Sequence, residues 1–168
     1  MLPITEELLQ EVLSCPKISR RADRKRMTSS NRSKRNKVYL SSENGKYEYK
    51  LFMRQSEEFM EDFSVGLIWT NPAQYIDVTK NSIFLIRCQG PHDGKAPQGT
   101  DIHHDYHIHR ITLDDIRERR YQKPSGRMST DEFSSFEQAV FYLINTFEVK
   151  DIDRVVELPE EVTQISLL

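Results

Sequence analysis

Apolar and polar positions change period along the chain, and each change marks an element. In residues 5–14 Leu8, Leu9, Val12 and Leu13 fall at i, i+1, i+4 and i+5, one stripe of a helix. Thr5 can cap it, Glu6 and Glu7 complement its dipole, and Ile4 with Leu9 has the spacing of a hydrophobic staple. Pro16 disfavours helical backbone at Cys15 and ends the helix there. From Val38 the period shortens to two. "KVYLSSENGKYEYKLFMR" sets Asn44-Gly45 between runs rich in Val, Tyr, Leu and Phe, which predicts strands over 37–42 and 46–54 joined by a type I′ turn with positive φ at both turn positions. In the second run Tyr47, Tyr49, Leu51 and Met53 alternate with Glu48, Lys50 and Arg54, so one face is buried and the other wet. "FSVGLIWT" predicts a third strand that stops at Asn71-Pro72, and "SIFLIRC" a fourth after the Lys80-Asn81 turn. Gly90, Pro91, Gly94, Pro97 and Gly99 then form a loop.

The helical period returns in "SSFEQAVFYLINTF", where Phe136, Ala139, Val140, Leu143, Ile144 and Phe147 line one face and Ser134 with Glu137 has capping-box spacing. "VVELPEEVTQISLL" adds a candidate edge strand and a tail. The expected fold is α+β: an antiparallel sheet of about five strands with one long helix packed on a face, plus a short N-terminal helix on a basic stalk. The expected organisation is an N-terminal helix and basic arm over 1–37 and a single α+β domain over 38–168.

The stalk comes from charge. The chain of 168 residues has a net charge of −2, but between Lys17 and Lys37 ten Lys and Arg face Asp23 alone, so this segment carries +9 and the remainder −11. Such a block repels itself and reads as a flexible arm for a polyanion. Nucleic acid, RNA before DNA, fits best because phosphate contacts release counterions. Its candidate contacts are Arg20, Arg21, Arg24, Lys25, Arg26, Arg32, Lys34, Arg35 and Lys37, with Arg117, Arg119 and Arg120 of "RERR" as a second source. A solvated linker folded back on the acidic body, or an arm for an acidic protein or nucleoprotein partner, are the competing readings. With 37% apolar residues and no long apolar run, a membrane partner is not expected. "MLPITEELLQEVL" lacks the basic start and cleavage site of a secretory signal. Cys15 and Cys88 have no CxxC spacing, so reduced thiols and a cytoplasmic location are expected.

The candidate chemistry is concentrated in "DIHHDYHIHR". It holds four of the five histidines, His103, His104, His107 and His109, with His92 just upstream. Strand alternation puts His103, Asp105, His107 and His109 on one side and His104, Tyr106, Ile108 and Arg110 on the other. Ile111 and Leu113 would continue the histidine side, so a bulge or a change of structure near Arg110 is required. Three readings compete. Neighbouring imidazoles with Asp105 could hold a divalent metal. His107 and His109 could act as the base and acid of metal-independent RNA cleavage, with an arginine on the phosphate. Or the histidines are structural, hydrogen-bonded to nearby carboxylates such as Asp93, Asp101 and Asp105. Trp69 and Tyr75 read as core rather than as base-stacking residues. No pattern names a cofactor, and metal binding, oligomeric state and substrate stay open.

At its His-x-His-Arg strand followed by "SSFEQAVFYLINTF" the chain resembles small uncharacterised bacterial proteins of mobile-element and toxin-antitoxin neighbourhoods. The resemblance covers the second half, brings no catalytic residue and implies a bacterial or phage cytosolic setting. The expected function is therefore a small cytosolic nucleic-acid-associated protein, whose enzymatic form would be a ribonuclease-like toxin using a histidine-lined strand. The alternative is a non-enzymatic interaction module, an inhibitor or antitoxin-like protein that docks its basic arm and N-terminal helix on a partner. Replacing Arg20, Arg21, Arg24, Lys25 and Arg26 with Ser is expected to weaken polyanion binding and flatten its salt dependence, measured as affinity against salt concentration.

Overall fold

The computed structural model describes residues 2–76, 82–91 and 105–158. Its strands are β1 (Lys17–Ala22), β2 (Thr28–Ser30), β3 (Ser33–Ser42), β4 (Glu48–Ser56), β5 (Phe63–Trp69), β6 (Ile83–Gln89), β7 (His107–Arg110), β8 (Gly126–Ser129) and β9 (Val149–Lys150). Its helices are α1 (Glu6–Ser14), α2 (Leu113–Arg117) and α3 (Phe136–Thr146). The strands form one mixed sheet in the order β8-β7-β6-β5-β4-β3-β1-β9, with β2 also pairing β3. Every pair is antiparallel except β1 with β9.

The α+β class stands, but the architecture expected from the sequence is corrected: among the described residues the sheet has nine strands and is mixed, rather than about five and antiparallel, and three short helices stand where one long helix and a short N-terminal one were expected, α3 being the longest at eleven residues. Two of the added strands, β1 and β2, lie in the basic segment, which forms strands and not a stalk. Strand alternation separates its charges and leaves Ser19 and Asn36 to face the core, while Ser33 is buried on the other side of β3 where it pairs with Ser30 and Ser56. The Asn36 amide donates to the Arg24 carbonyl at 2.8 Å and accepts from the Arg24 N–H at 3.2 Å, closing the connection between β1 and β2. The Arg21 guanidinium stacks 3.7 Å above the Tyr39 ring. β3 therefore runs unbroken through Lys37-Val38, where the globular part was expected to begin.

The turns are also reassigned. Asn31 and Arg32, at φ 51° and 63°, connect β2 to β3 between the paired Ser30 and Ser33, so the two-residue turn with both φ positive is here. At Asn44-Gly45 only Gly45 has positive φ, 73°, and a longer loop closes through Ser42 N–H donating to the Tyr47 carbonyl at 2.9 Å.

One face of the sheet is covered. α1, capped by Thr5 as expected, buries Leu9, Val12 and Leu13, and the buried Tyr49 hydroxyl donates to the Val12 carbonyl at 2.6 Å. α3 is capped by Ser135, one residue later than the spacing suggested, and buries Phe136, Ala139, Val140, Leu143 and Ile144. Phe136 and Phe133 both pack on Phe63 of β5. Val38, Leu51, Leu67 and Ile86, directly paired across β3 to β6, supply the sheet side of this core.

A single cation joins the two helices to the sheet. Lys17 has no exposed surface, and its Nζ donates to the carbonyls of Leu13 at 2.6 Å, Cys15 at 2.9 Å and Phe147 at 3.1 Å. It thereby satisfies the carboxyl-terminal ends of α1 and α3 together. Burial lowers its pKa from 10.5 to about 8, against the smaller opposing pull of Cys15 and Glu148. Lys17→Met is expected to cost about 3 kcal/mol in urea unfolding at neutral pH, roughly 1 kcal/mol for each orphaned carbonyl. Between pH 8 and 10.5 the unfolded chain holds a proton on Lys17 that the folded chain has released, so this group adds stability as pH rises. The stability gap between wild type and Lys17→Met is expected to widen across that window.

Candidate nucleic-acid interface

The opposite face of the sheet has α1 and α3 behind it, and the register arranges its side chains in rows that run across the strands. One row is Lys37, Phe52, Gly66, Arg87, His109 and Arg127, each directly paired with the next. Beside it lie Arg35, Arg54, Ser64, Gln89, His107 and Ser129. On the other side lie Arg21, Tyr39, Lys50, Ile68 and Phe84. Basic, aromatic and small polar side chains thus share this face.

Arg87 is at its centre. Gly66 makes room for this arrangement: a Cβ there would come within 2.4 Å of the Phe52 ring and 2.7 Å of the Ile86 carbonyl, so the ring lies flat against bare backbone. Phe52 and Phe84 meet edge to face at 5.7 Å, and the Arg87 guanidinium sits 4.9 Å from the Phe84 ring centre and 5.9 Å from that of Phe52. Its buried Nε has no hydrogen-bond partner, and Arg87 makes no ion pair among the described residues. Burial lowers its pKa, the sign of a cation short of compensation. The neighbouring arginines differ. Arg54 pairs with Asp62 at 3.2 Å and Arg127 with Asp105 at 2.8 Å, whereas Arg35, Lys37 and Lys50 have no carboxylate partner among the described residues.

His107 and His109 share this face, as alternation predicted, with ring centres 5.0 Å apart. Their environments differ. His107 is buried, with Nδ1 3.1 Å from the Asp105 carbonyl and Nε2 3.3 Å from Gln89 Oε1. His109 is half-buried, and its Nδ1 has no hydrogen-bond partner. Burial first, then the charges of His107, Arg127 and Arg87, lower its pKa to about 4, outweighing a hydrogen bond with the Pro124 backbone. His109 is neutral at pH 7. His92, His103 and His104 lie outside the described residues, and no group of three or more metal-ligating side chains occurs among those described. The expected change of structure near Arg110 is present: β7 ends there and Thr112 opens α2 in a capping box with Asp115.

The other cations singled out in the sequence are dispersed. Arg20 donates to Ser41 Oγ at 2.8 Å, Arg26 pairs with Glu157, and Arg32 lies 3.6 Å from Glu58. Arg24 and Lys25 are in the loop between β1 and β2, with the Lys25 carbonyl accepting from Glu157 N–H at 2.8 Å. Lys34 alternates to the helix side of β3 and is exposed there. In "RERR", Arg117 pairs with Asp114 at 3.2 Å, and Arg120 with Glu118 and, at 3.0 Å, with Asp115. Burial raises the Asp115 pKa, but hydrogen bonds from Ser125 and Thr112 outweigh it and bring it to about 2. Arg119 is exposed in the left-handed region at φ 58°. Of the residues singled out, the structure gathers Arg21, Arg35, Lys37, His107 and His109 on the open face. It adds Phe52, Phe84, Lys50, Arg54, Arg87 and Arg127. Two signals pointed there: an isolated glycine inside the strand "FSVGLIWT", which marks a close approach, and a lone arginine in the apolar strand "SIFLIRC".

No family model matches the chain, and neither a curated protein nor a solved structure matches it. Among the described residues no helix is long and apolar enough to cross a membrane.

Because the folded His109 titrates near pH 4 and an ordinary histidine near 6.5, the unfolded chain binds the extra proton in that interval. The contribution of this group is complete above pH 6.5 and is lost as pH falls toward 4. His109→Gln is expected to flatten the acid limb of a stability-against-pH curve, and proton-detected titration of the His109 ring should show no midpoint near 6.5.

Proposed function

We propose that this protein binds single-stranded nucleic acid, RNA in the first place, on the open face of its sheet. The observation that carries this is Arg87, a half-buried guanidinium seated on Phe52 and Phe84 and, among the described residues, without a carboxylate partner, as are Arg35, Lys37 and Lys50. A phosphate supplies a counter-charge, and half-buried rings at a sheet surface offer their accessible edges and faces to bases. A single strand suits a flat face better than a duplex, because its bases are free to lie on the rings.

A ribonuclease activity is a second reading, and His109 favours it. Its neutral imidazole stands beside Arg87 and Arg127 in one row, next to one cation without an ion pair among the described residues and one already held by Asp105. His107, buried with both ring nitrogens close to oxygen acceptors, is better suited to orienting than to carrying protons.

Both readings are tested with the full chain and a labelled mixed-sequence RNA, followed by fluorescence anisotropy and by gel with and without EDTA. Arg87→Gln is expected to weaken binding about tenfold, a loss of roughly 1.4 kcal/mol. Lys37→Ser and Lys50→Ser are each expected to reduce the slope of log affinity against log salt by about one. Binding unchanged by all three substitutions would remove the face from consideration. Cleavage that survives EDTA and disappears in His109→Ala would establish the enzyme reading, and binding without cleavage leaves a binding module.

A further inference from the structure

The turn between β4 and β5, residues 57–62, exposes two large apolar side chains side by side, Phe59 at 58% and Met60 at 64%. They are held there by a closed network. The Glu58 and Phe59 N–H groups donate to Ser56 Oγ at 3.2 and 3.1 Å, and Gln55 Nε2 donates to the Met60 carbonyl at 3.0 Å. Asp62 N–H donates to the Phe59 carbonyl at 2.9 Å, and Ser56 N–H to the Asp62 carbonyl at 2.8 Å. A pre-ordered apolar tip gains the full hydrophobic benefit of burial with little ordering cost on docking.

Its rim selects the partner. Glu57, Glu58, Glu61 and Asp62 surround the apolar pair; Glu58 and Asp62 reach Arg32 and Arg54, while Glu57 and Glu61 make no ion pair among the described residues. The complementary surface is apolar or aromatic and basic. The molecule itself carries one, in Phe52 and Phe84 with Arg87, Lys37 and Lys50 around them. We propose that the tip of one copy docks on the open face of a second copy, with Phe59 against the Phe52–Phe84 pair and the rim carboxylates Glu57 and Glu61 on Arg87, Lys37 and Lys50. Reciprocal docking closes a two-fold dimer. Resting on the nucleic-acid reading, one consequence follows: dimer and oligonucleotide compete for the same face.

Sedimentation of the full chain over a concentration series at low salt tests the docking without any nucleic acid. The wild type is expected to show a monomer–dimer equilibrium that weakens at high salt. A tip variant, Phe59→Ser with Met60→Ser, and a face variant, Lys37→Ser with Lys50→Ser and Arg87→Gln, are each expected to dimerise at least tenfold more weakly. Mixed together they should associate again, since the first keeps an intact face and the second an intact tip. A monomeric wild type, a dimer indifferent to the tip variant, or a mixture that fails to associate each overturns the proposal. Circular dichroism verifies that both variants are folded, and the tip residues are exposed enough for that to be expected. The RNA anisotropy measurement separates the two readings. RNA binding without self-association sinks only this inference, and self-association without RNA binding sinks only the nucleic-acid reading.

Discussion

The fold turns on one buried lysine. Lys17 follows directly on the proline that ends α1, reaches back to the last carbonyls of that helix, and meets the last carbonyl of α3, 130 residues away in the chain. A charged amine without a carboxylate partner is costly to bury, and its lowered pKa records that cost. It is tolerated because two helix ends would otherwise present orphan acceptors to the core at one place. The strands that follow the two helices, β1 and β9, then leave this point side by side and form the parallel pair of the sheet, beginning with Lys17 N–H donating to the Glu148 carbonyl at 2.9 Å. Fixing both helix ends at the same strand puts both helices on the same face. Among the described residues neither α1 nor α3 lies on the opposite face, where the side chains of Lys37, Phe52, Arg87 and His109 stand.

On that face, register does what a cleft does in other proteins. Because each strand alternates strictly, one pairing frame brings Lys37, Phe52, Arg87 and His109 into a line, although they are far apart in sequence. Gly66 is the one position in the line without a side chain, and the space it leaves is filled by the Phe52 ring. Had Gly66 carried a Cβ, the ring would stand up from the sheet and Arg87 would lose the surface it rests on. The electrostatic character of the face follows from the same frame. Arg54 and Arg127 have carboxylates within reach on neighbouring turns, whereas Arg87 is paired across the strands with glycine and with a neutral histidine. Among the described residues its charge meets no carboxylate.

Elements with strong alternation or a strong helical stripe could be read from the chain: α1, α3, and the strands from Val38 to Cys88 show their pattern within a few residues. The basic segment could not. Its side chains are almost all polar, so no period distinguishes the buried Ser33 and Asn36 from the exposed Lys34 and Arg35 between them. What makes it a ribbon is tertiary: Asn36 bonded to the Arg24 backbone, Arg21 on Tyr39, and a turn at Asn31-Arg32 whose second residue is one that composition gives no reason to place at positive φ. Short strands such as β8 and β9 exist only through their neighbours. At the candidate site, alternation correctly put His107 and His109 together, but not that burial would leave one with both nitrogens near acceptors and the other with a bare Nδ1. That difference depends on Gln89 and Pro124, which no spacing within the histidine segment reveals.

The segregation of charge along the chain also changes meaning in three dimensions. A block of +9 reads as a tether for a polyanion, yet folding spends much of it internally: Lys17 on helix carbonyls, Arg26 on Glu157, Arg32 beside Glu58. What reaches the open face is a smaller set, Arg21, Arg35 and Lys37, joined there by Lys50 and Arg87 from strands that look unremarkably mixed in sequence. Attraction for an anion depends on the cations that lack carboxylate neighbours and on the dielectric around them, not on how many are consecutive. By that criterion the strongest position is Arg87, a single arginine in an apolar strand, because aromatic rings and neighbouring strands have removed much of the water that would otherwise screen it.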